Sequence, residues 1–494
     1  MAGQYILLML TALFVGGMVS YVVGHWSKNP CKAAGVVALL AEVLGLVAFV
    51  PLARSVAMGE TPMVTFGDSA LGITLQADAL SVFMLAVILL LSIGSTIYSL
   101  NYMEEDEGVE KYYGLLLFMI TGMMGITLAT DLFNLYLFFE LMACSSYVLV
   151  AFRKDTPEPI EAAFKYLVMS AVGSAFILLG IALTFMYTGE LSFAGVLAQV
   201  TELPSEVVIL LMGLFMGGFG VKTAMAPLHT WLPDAHAAAP TGISAMLSGV
   251  VIETGFFAML RVLLTLFAAI NLSMGLVLAL LAVLTMFTGN LLALVQKDIK
   301  RMLAYSSVAQ IGYILLGIGL GIYYGAFSGL TGGLFHIMTH AFMKGLAFFC
   351  AGVVIHQLGT REIAQMRGIG KHMPLTAAGF TVAALALAGV PPFSGFMSKL
   401  FIYNAGVEVG SSLGFAFAAI TIANSIISLG YYLPVVNAFY AKETVAEGHL
   451  HDAPIWCAVP IAGLMLITLL LGVFPELGLK YVYPAVNVII GLIG

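Results

Sequence analysis

Long apolar runs separated by short polar breaks follow one another along nearly the whole chain. About fourteen of these runs reach the roughly 20 residues that a helix needs to cross a bilayer. The runs are continuous and do not alternate between polar and apolar residues, so they exclude an outer-membrane β-barrel and predict an all-α polytopic membrane protein. We place the spans at 4–24, 33–53, 79–101, 113–130, 132–151, 162–187, 206–226, 240–267, 270–292, 302–321, 326–357, 375–404, 412–440 and 454–474.

The composition agrees with this pattern. Of the 494 residues, 61% are hydrophobic and only 9% are charged, and such a chain does not fold as a soluble globule. The first span lacks a basic leader and a small-residue cleavage site, so we expect a retained helix in place of a signal peptide. The cysteines lie too far apart for an iron–sulfur or zinc-ribbon pattern, and we predict small core residues at Cys31, Cys144, Cys350 and Cys457.

Basic residues are distributed very unevenly between the two sets of loops. If the N-terminus lies outside, thirteen lysines and arginines fall in inside loops, and only Arg54 and Lys480 fall outside. Because positive charge collects on the inside of membrane proteins, this count predicts that both termini face outward. The main acidic cluster, EEDEGVE at 104–110, lies in an inside loop and indicates a solvated face.

Seven charged residues fall inside the predicted spans. A charge near the centre of a membrane helix costs about 2.5 to 3.5 kcal/mol on insertion scales, so such residues normally face protein or water and mark an ion pathway. For Arg261 and Glu42 taken singly, a snorkelling side chain or a structural pair is an equally open interpretation. The seven residues are Glu42, Glu140, Lys222, Glu253, Arg261, Lys344 and Lys399.

The stretch FHIMTHAFMK at 335–344 places three polar residues on one helix face, because His336, His340 and Lys344 recur every four residues. Histidine titrates near neutral pH, so this stripe favours a proton relay. Two alternatives remain open. A pair of histidines four residues apart can share a zinc ion, although no glutamate follows the first histidine. The residues can also be core histidines beside a snorkelling lysine.

Two predicted helices are interrupted by glycine and proline. Helix 7 reads GGFGVKTAMAPLHTWLPDAH and holds Lys222 between a glycine cluster and Pro227. Helix 12 reads LALAGVPPFSGFMSKLF and holds Pro391, Pro392 and Lys399. Such breaks free backbone groups at membrane depth, where they are tolerated if they line a cavity or face other protein.

The two broken helices lie five helices apart, and an odd offset reverses the direction of the chain through the membrane. This is the arrangement of inverted repeats, and we predict two of them, in helices 4–8 and 9–13. The predicted organisation is an N-terminal three-helix segment, a first repeat, a second repeat, and a C-terminal helix with a tail, at 1–112, 113–267, 268–440 and 441–494.

Five stretches carry a resemblance to a known family. The chain resembles the antiporter-like subunits of the complex I superfamily, which includes proton-pumping subunits of respiratory complex I, Mrp-type sodium/proton antiporters and membrane-bound hydrogenases. The first three helices and the last two match only in general character. The matching stretches are DLFNLYLFFELM at 131–142, VKTAMAPLHTWLPDAHAAAPTGISAMLSG at 221–249, KDIKRMLAYSSVAQIGY at 297–313, HIMTHAFMKGLAFFCAG at 336–352 and GVPPFSGFMSK at 389–399.

The resemblance implies a charged axis along the membrane midplane. In it, Glu140 matches a helix 5 glutamate coupled to Lys222, and movement of the glutamate away from the lysine makes the lysine's proton easier to release. The helix 11 relay corresponds to His336, His340 and Lys344, and the lysine of broken helix 12 to Lys399. Orienting or structural roles are implied for Asp131, His229, Asp234, Asp298, Lys300 and Arg301.

Glu253 departs from the family, because many relatives carry a lysine at its position in SGVVIETGFFAMLR. We hypothesise that Glu253 is a relay carboxylate, with Lys222, Lys344 or Arg261 as its basic partner. Three alternatives remain open. Glu253 can simply neutralise a neighbouring base, it can mark a weaker link between the half-channels, or it can give a preference for Na⁺.

The resulting functional hypothesis is an ion-translocating membrane subunit, most simply for H⁺ and alternatively for Na⁺/H⁺ antiport. Its expected partners are other membrane subunits, including further antiporter-like ones, in an energy-coupling membrane, and nucleic acid is not expected. No nucleophile motif, Walker loop, dinucleotide fingerprint or haem site is present, so we expect no cofactor or metal and place redox chemistry in other subunits. The alternative function is a scaffold of the same fold that anchors its neighbours without transport.

Overall fold

The computed structural model describes residues 2–67, 72–267, 274–442 and 450–493. The chain begins with three long helices, and an antiparallel hairpin of β1 (Met63–Phe66) and β2 (Ile73–Gln76) connects the second helix to the third. The sequence analysis missed this hairpin, because two four-residue strands give too short an alternation. The three helices are α1 (Gly3–Trp26), α2 (Pro30–Ala57) and α3 (Ala79–Tyr102).

The next part of the chain contains the first broken helix. Predicted helix 7 ends at Lys222 and resumes as a short helix at Leu232. Predicted helix 8 is continuous in direction but contains one π-helical turn at Leu247–Val251, directly before Glu253. The helices are α4 (Val109–Leu128), α5 (Leu132–Val150), α6 (Pro157–Thr188), α7 (Phe193–Val200), α8 (Ser205–Lys222), α9 (Leu232–Ala238), α10 (Thr241–Met246) and α11 (Ile252–Phe267).

The following part contains the second broken helix. Predicted helix 12 divides at Gly389, whose φ of 85° ends one helix, and a new helix begins at Ser394. Short 3₁₀ turns at Ile363–Met366 and Ile369–Lys371 lie in the loop before it. The helices are α12 (Met274–Leu294), α13 (Ile299–Tyr324), α14 (Phe327–Leu358), α15 (Pro374–Ala388), α16 (Ser394–Glu408) and α17 (Ser412–Phe439).

The chain ends with α18 (Ile455–Val473) and α19 (Glu476–Ile493). Helix α19 lies in the segment after 474 for which the sequence predicts only a tail. This helix packs against α3 and α14 through one apolar face that includes Leu479, Val482 and Val486. The other face carries Glu476 and Lys480, so α19 does not form an uninterrupted apolar run in the sequence.

Thirteen helices of the described residues are long and apolar enough to cross a membrane. Another predicted span, 375–404, is formed by α15 and α16 on the two sides of their break. The predicted all-α polytopic membrane fold and both broken helices are therefore confirmed. The predicted boundary at 268, the beginning of predicted helix 9 at 270, and residues 443–449 of the C-terminal segment lie outside the described residues.

Aspartates fix where several helices begin. Asp78, Asp131 and Asp298 precede α3, α5 and α13, and each carboxylate accepts hydrogen bonds from backbone N–H groups of the first turn. These groups have no partner inside the helix, so a cap stabilises each helix start by about 1 kcal/mol. Asp131 and Asp298 thus have structural contacts of the kind that the resemblance implied.

The centre of the bundle is formed by α13 and α14, whose most apolar windows are almost completely buried. Helix α12 lies against α13 along a close seam, where a Cβ atom added to Gly289 would be 2.4 Å from the backbone nitrogen of Ala309. Cys31, Cys350 and Cys457 are buried as predicted. The prediction for Cys144 is wrong, because this cysteine lies on the outer face of α5 and is exposed.

Candidate functional site

The first charged pair lies at the break of predicted helix 7. Lys222 is the last residue of α8, and its Nζ is 3.5 Å from Oε1 of Glu140 on α5. The lysine also donates a hydrogen bond of 2.6 Å to the hydroxyl of Ser170, and Ser174 donates one of 2.5 Å to Glu140. The side chain of Lys222 is 3% exposed, whereas that of Glu140 is 31% exposed. The lysine is therefore enclosed, while its partner is partly exposed at the surface of the chain.

The backbone groups that this break releases from helical hydrogen bonding find other hydrogen-bond partners. The chain leaves the helix after Lys222, and the carbonyl oxygen of Val221 accepts a hydrogen bond of 2.9 Å from the indole nitrogen of Trp231. Ala224 lies in the left-handed region with a φ of 54°. The carbonyl oxygen of Val221 also accepts a hydrogen bond of 3.1 Å from the N–H of Ala224. A side chain and a tight backbone turn together thus satisfy the carbonyl group at the break, as membrane depth requires.

The second pair joins α11 to α14. Oε1 of Glu253 is 2.5 Å from Nδ1 of His340, and both side chains are completely buried. The other oxygen, Oε2, and the other ring nitrogen, Nε2, have no hydrogen-bond partner among the described residues. The prediction that Glu253 pairs with Lys222, Lys344 or Arg261 is therefore wrong. The partner is a histidine, because α14 turns its polar stripe towards the π-helical turn that precedes Glu253.

Arg261 belongs to a separate structural pair. Its Nη2 contacts both carboxylate oxygens of Asp78 at 2.6 Å, at the start of α3. Burial alone would raise the pKa of Asp78, but the charge of Arg261 and hydrogen bonds from Arg261 and Ser81 outweigh burial and hold this pKa below its ordinary value. Of the two interpretations left open for Arg261, the structural pair is correct.

His336 is held on both sides by neutral polar groups. Its Nδ1 is 2.8 Å from Oγ of Ser398, and its Nε2 is 2.9 Å from Oε1 of Gln310. The rings of His336 and His340 are stacked, with centroids 6.1 Å apart. The side chain is completely buried, so its two contacts fix its orientation between α13 and α16.

Lys344 and Lys399 have no carboxylate within ion-pair distance in the part of the chain that the structure describes. Nζ of Lys344 donates to the carbonyl oxygen of Leu303 at 2.7 Å and contacts the hydroxyl of Ser306. Nζ of Lys399 donates to the carbonyl oxygen of Leu387 at 2.8 Å and lies 4.1 Å from the centre of the Tyr313 ring. Oxygen dipoles and a π face thus surround the two buried amino groups and would stabilise their protonated forms.

The break of predicted helix 12 creates the site of Lys399. Gly389 ends α15, and the side chain of Lys399 folds back across it, so that an added Cβ would lie 3.0 Å from Cδ of the lysine. The carbonyl oxygen of Leu387 also accepts a hydrogen bond of 3.1 Å from Gln310. The break thus supplies an acceptor that links Lys399 to the residue that holds His336.

An ionic cluster covers the predicted inside end of the axis. Asp234 contacts Arg301 at 2.6 Å and Lys165 at 3.0 Å. Arg361 contacts Asp298 at 3.1 Å and Glu158 at 2.7 Å. Beside it, a cavity of about 190 Å³ reaches Lys300, whose Nζ donates to the carbonyl oxygen of Ala239 at 2.6 Å. The ion pairs of this cluster connect the loops that surround the cavity.

The structure brings the predicted site residues into three groups. The first is the Glu140 and Lys222 pair, the second is Glu253 with the two histidines, and the third is the two lysines held by carbonyl oxygens. No hydrogen bond between described side chains joins the first group to the second. The sequence analysis missed the neutral members of the site, Ser170, Ser174, Ser306, Gln310 and Ser398. Their only signal was a polar residue within an apolar span.

The described residues contain no group of three or more histidine, cysteine, aspartate or glutamate side chains that could hold a metal ion. His336 and His340 each have only neutral or single-carboxylate contacts, as given above. The site consists of carboxylate, amine and imidazole side chains, each of a type that binds and releases protons, enclosed between helices.

Comparison with known proteins agrees with this arrangement. A family model described as "NADH:quinone oxidoreductase/Mrp antiporter, TM" matches residues 129–427, and one described as "NADH-Ubiquinone oxidoreductase (complex I), chain 5 N-terminus" matches residues 63–113. The chain is 34% identical over 416 residues to F(420)H(2) dehydrogenase subunit N of Methanosarcina mazei, with 82% of each chain covered. It is also 34% identical over 468 residues to NADH-quinone oxidoreductase subunit N of Trichlorobacter lovleyi, with 93% and 92% covered.

A solved structure has the same fold. It belongs to the membrane-bound sulfane sulfur reductase, an archaeal respiratory membrane complex, and matches with a TM-score of 0.89 and 29% identity over 99% of this chain and 98% of that one. The matched region of the first family model contains both charged pairs. It also contains the polar stripe of His336, His340 and Lys344 on α14. The chain therefore belongs to the NADH:quinone oxidoreductase/Mrp antiporter family of membrane proteins.

Proposed function

We propose that this chain translocates H⁺ as a membrane subunit of a multisubunit respiratory complex and is driven by redox chemistry in other subunits. The observation that carries the proposal is the contact between Glu140 and Lys222 at the end of a broken membrane helix. An enclosed ammonium group beside a partly exposed carboxylate forms a switch with two positions.

The energy of this switch is large enough to drive proton release. Two unit charges about 4 Å apart, at an effective dielectric constant near 20, interact by about 4 kcal/mol. When Glu140 moves away from Lys222, the ammonium group loses this stabilisation and releases its proton more readily. Ser170 keeps the lysine in place during the change, because its hydroxyl accepts a hydrogen bond from Nζ.

The proposed path continues through α11 and α14. The proton passes from Lys222 to the Glu253 and His340 pair. From there it moves one turn along α14 to Lys344, or through the stacked ring of His336 towards Lys399. Water or a side-chain movement bridges the step from Lys222 to Glu253, since no direct hydrogen bond joins them in the described residues. The unpartnered Oε2 of Glu253 and Nε2 of His340 are free to take part in this step.

The proposed setting follows from the relatives. Two of them are named as subunits of an F(420)H(2) dehydrogenase and of an NADH-quinone oxidoreductase. We infer that this chain works beside other membrane subunits, including further antiporter-like ones, in an energy-coupling membrane with both of its termini outside. The two inverted repeats, helices 4–8 and 9–13, are part of this proposal.

Na⁺/H⁺ antiport is the second candidate function. The observation that favours it is Glu253, because a carboxylate oxygen without a hydrogen-bond partner is a better ligand for a hard cation than an amine. The scaffold alternative makes a different prediction, since in a scaffold the charged axis would be dispensable for every measured activity of the complex.

The test uses Lys222→Ala and Glu140→Ala in the purified complex, reconstituted into vesicles with a pH-sensitive dye. Each variant removes one half of the switch, so we expect transport to fall by about a hundredfold or more, the effect of removing a proton-transfer group, while the complex assembles. Lys480→Ala, an exposed lysine on α19, is the control and leaves transport unchanged. Intact assembly with near wild-type transport in either axis variant would refute the proposal.

A further inference from the structure

A second cavity opens at the predicted inside end of the bundle, away from the ionic cluster around Arg361. Its volume is about 470 Å³, and it lies between α12, α13, α17 and the loop that holds the first 3₁₀ turn. Lys297, Glu362 and Arg367 line it, together with Tyr431 and Val435 of α17. Charged groups around a cavity of this size favour filling by water.

Two tyrosines lie between this cavity and the charged axis. Tyr431 lines the cavity, and its ring is in contact with that of Tyr432, with centroids 4.4 Å apart. Both side chains are buried, and both hydroxyl groups donate hydrogen bonds. The hydroxyl of Tyr431 donates to Asn290 at 2.9 Å, and that of Tyr432 donates to Ser306 at 2.9 Å.

The hydroxyl of Ser306 connects this tyrosine pair to the axis. It accepts a hydrogen bond from Tyr432 and contacts Nζ of Lys344, and it donates to the carbonyl oxygen of Leu303 at 3.0 Å. Only the side chains of Tyr432 and Ser306 therefore separate Lys344 from the residue that lines the cavity. The mechanism described above uses none of these hydroxyl groups.

Helix α17 also lacks one backbone hydrogen bond where it lines the cavity. Pro434 lies inside the helix and has no N–H group to donate to the carbonyl oxygen of Gly430, and both residues line the cavity. A freed carbonyl oxygen at membrane depth needs a partner, and water that fills the cavity would supply one. This observation is independent of the tyrosine contacts and leads to the same position.

We propose that the cavity is a proton inlet of the second repeat, which loads Lys344 from the predicted inside face through Tyr432 and Ser306. The inference rests on the proposed function, because it needs Lys344 to carry protons. A tyrosine hydroxyl both donates and accepts, so it passes a proton on without holding a charge.

The transfer is balanced in protons. Nζ of Lys344 contacts both Ser306 and the carbonyl oxygen of Leu303, so the Ser306 hydroxyl lies within reach of the amine when Lys344 is neutral. After Lys344 has given up a proton, the Ser306 hydroxyl rotates and gives its proton to the neutral amine. In the same concerted step Ser306 takes the proton of Tyr432, and a hydronium ion on the cavity side, past Tyr431, gives its proton to Tyr432 and becomes water, so that no alkoxide or phenolate remains. Only O–H and N–H bonds change, and no oxidant or reductant is needed.

The first experiment is Tyr432→Phe, which keeps the ring and removes the hydroxyl. We expect the transport rate to fall about fivefold, the effect of losing one ordinary hydrogen bond from the path. Tyr98→Phe is the matched control, because Tyr98 is completely buried and its hydroxyl donates to the carbonyl oxygen of Phe349, outside the axis. Equal rates in Tyr432→Phe and the wild type would overturn the inference.

The second experiment tests access, which a structural role for Tyr432 would not affect. Ala438→Cys places a thiol in the cavity wall, in a background where the exposed Cys144 is replaced by serine. A membrane-impermeant thiol reagent on the inside face should react and slow transport about fivefold, as in Tyr432→Phe, with no further slowing in the Tyr432→Phe background. Complete modification with unchanged transport, or reaction from the outside only, would overturn the inference.

Lys222→Ala distinguishes a failure of the proposed inlet from a failure of the proposed function. If this variant loses transport while Tyr432→Phe and the modified Ala438→Cys protein keep it, the inlet is wrong and the proposed function stands. If Lys222→Ala transports normally, the proposed function fails, and the inlet fails with it.

Discussion

The carboxylate of Glu253 and the imidazole of His340 are in direct contact across two helices, with Oε1 2.5 Å from Nδ1 and both side chains completely buried. The π-helical turn at Leu247–Val251 immediately precedes Glu253. Such single turns often occur at functional sites. A carboxyl group and an imidazole in direct contact can hold one proton between them, so we expect this pair to accept a proton from one side and release it to the other.

Glu253→Gln is expected to slow transport by roughly tenfold or more, because the amide keeps the size of the side chain but loses a charge-assisted hydrogen bond to His340. The measurement is dye-monitored transport in reconstituted vesicles. Glu42→Gln is the control, since Glu42 is also completely buried and accepts a hydrogen bond of 2.8 Å from Thr96. Wild-type rates in Glu253→Gln would exclude a relay role.

Replacement of His336 and His340 together by glutamine should slow transport without releasing any metal. Glutamine retains hydrogen-bonding groups near Ser398 and Gln310. Unlike histidine, it cannot bind and release a proton near neutral pH. Elemental analysis of the purified wild-type protein checks the second part. A stoichiometric content of zinc or iron that disappears in the double variant would favour the metal alternative.

Asp78→Asn should lower the stability of the folded chain at pH 7, by about 3 kcal/mol, because it leaves Arg261 without its charged partner. The pKa of Asp78 is lowered in the folded state, so its contribution is present at neutral pH and is lost as the pH falls through the folded-state pKa. The difference in thermal unfolding temperature between wild type and variant should therefore shrink below about pH 4. A difference that stays constant with pH would contradict this assignment.

Gly289→Ala should destabilise the contact of α12 with α13. The added Cβ would lie 2.4 Å from the backbone nitrogen of Ala309, so the helices must separate, at a cost of roughly 1 to 3 kcal/mol. Gly213→Ala on α8 is the matched control, because a Cβ there meets no heavy atom of the described residues within 4 Å. Thermal unfolding in detergent compares the two, and equal stability in both variants would show that the seam tolerates a methyl group.

The fold was largely predictable because one physical constraint dominates it. Backbone groups within a bilayer must be satisfied inside each span, so length and apolarity alone identify most of the helices. The prediction failed where this constraint weakens. The hairpin of β1 and β2 connects two spans, and α19 carries Glu476 and Lys480 on one face, so neither has a continuous apolar run.

The charged members of the site were predictable for the same reason, since a charge inside a span is costly and therefore conspicuous. Their partners were not. Serine and glutamine cost little in a membrane helix, so Ser170 and Gln310 gave no signal of comparable strength. The partner of Glu253 depended on the rotation of α14 relative to the π-helical turn, and spacing along the chain does not define that rotation.

Glu140 lies at the border of the outer apolar face of α5, beside Leu137 and Cys144, and its side chain keeps 31% of its surface exposed. In the isolated chain, this carboxylate would be in contact with lipid hydrocarbon or with water that enters the bilayer. A charge in hydrocarbon is unfavourable by about 2.5 to 3.5 kcal/mol. A neighbouring polypeptide that covers it with polar groups would recover this energy on docking. The same residue that begins the proton path would then also strengthen assembly, so transport and subunit affinity should change together when that surface is altered.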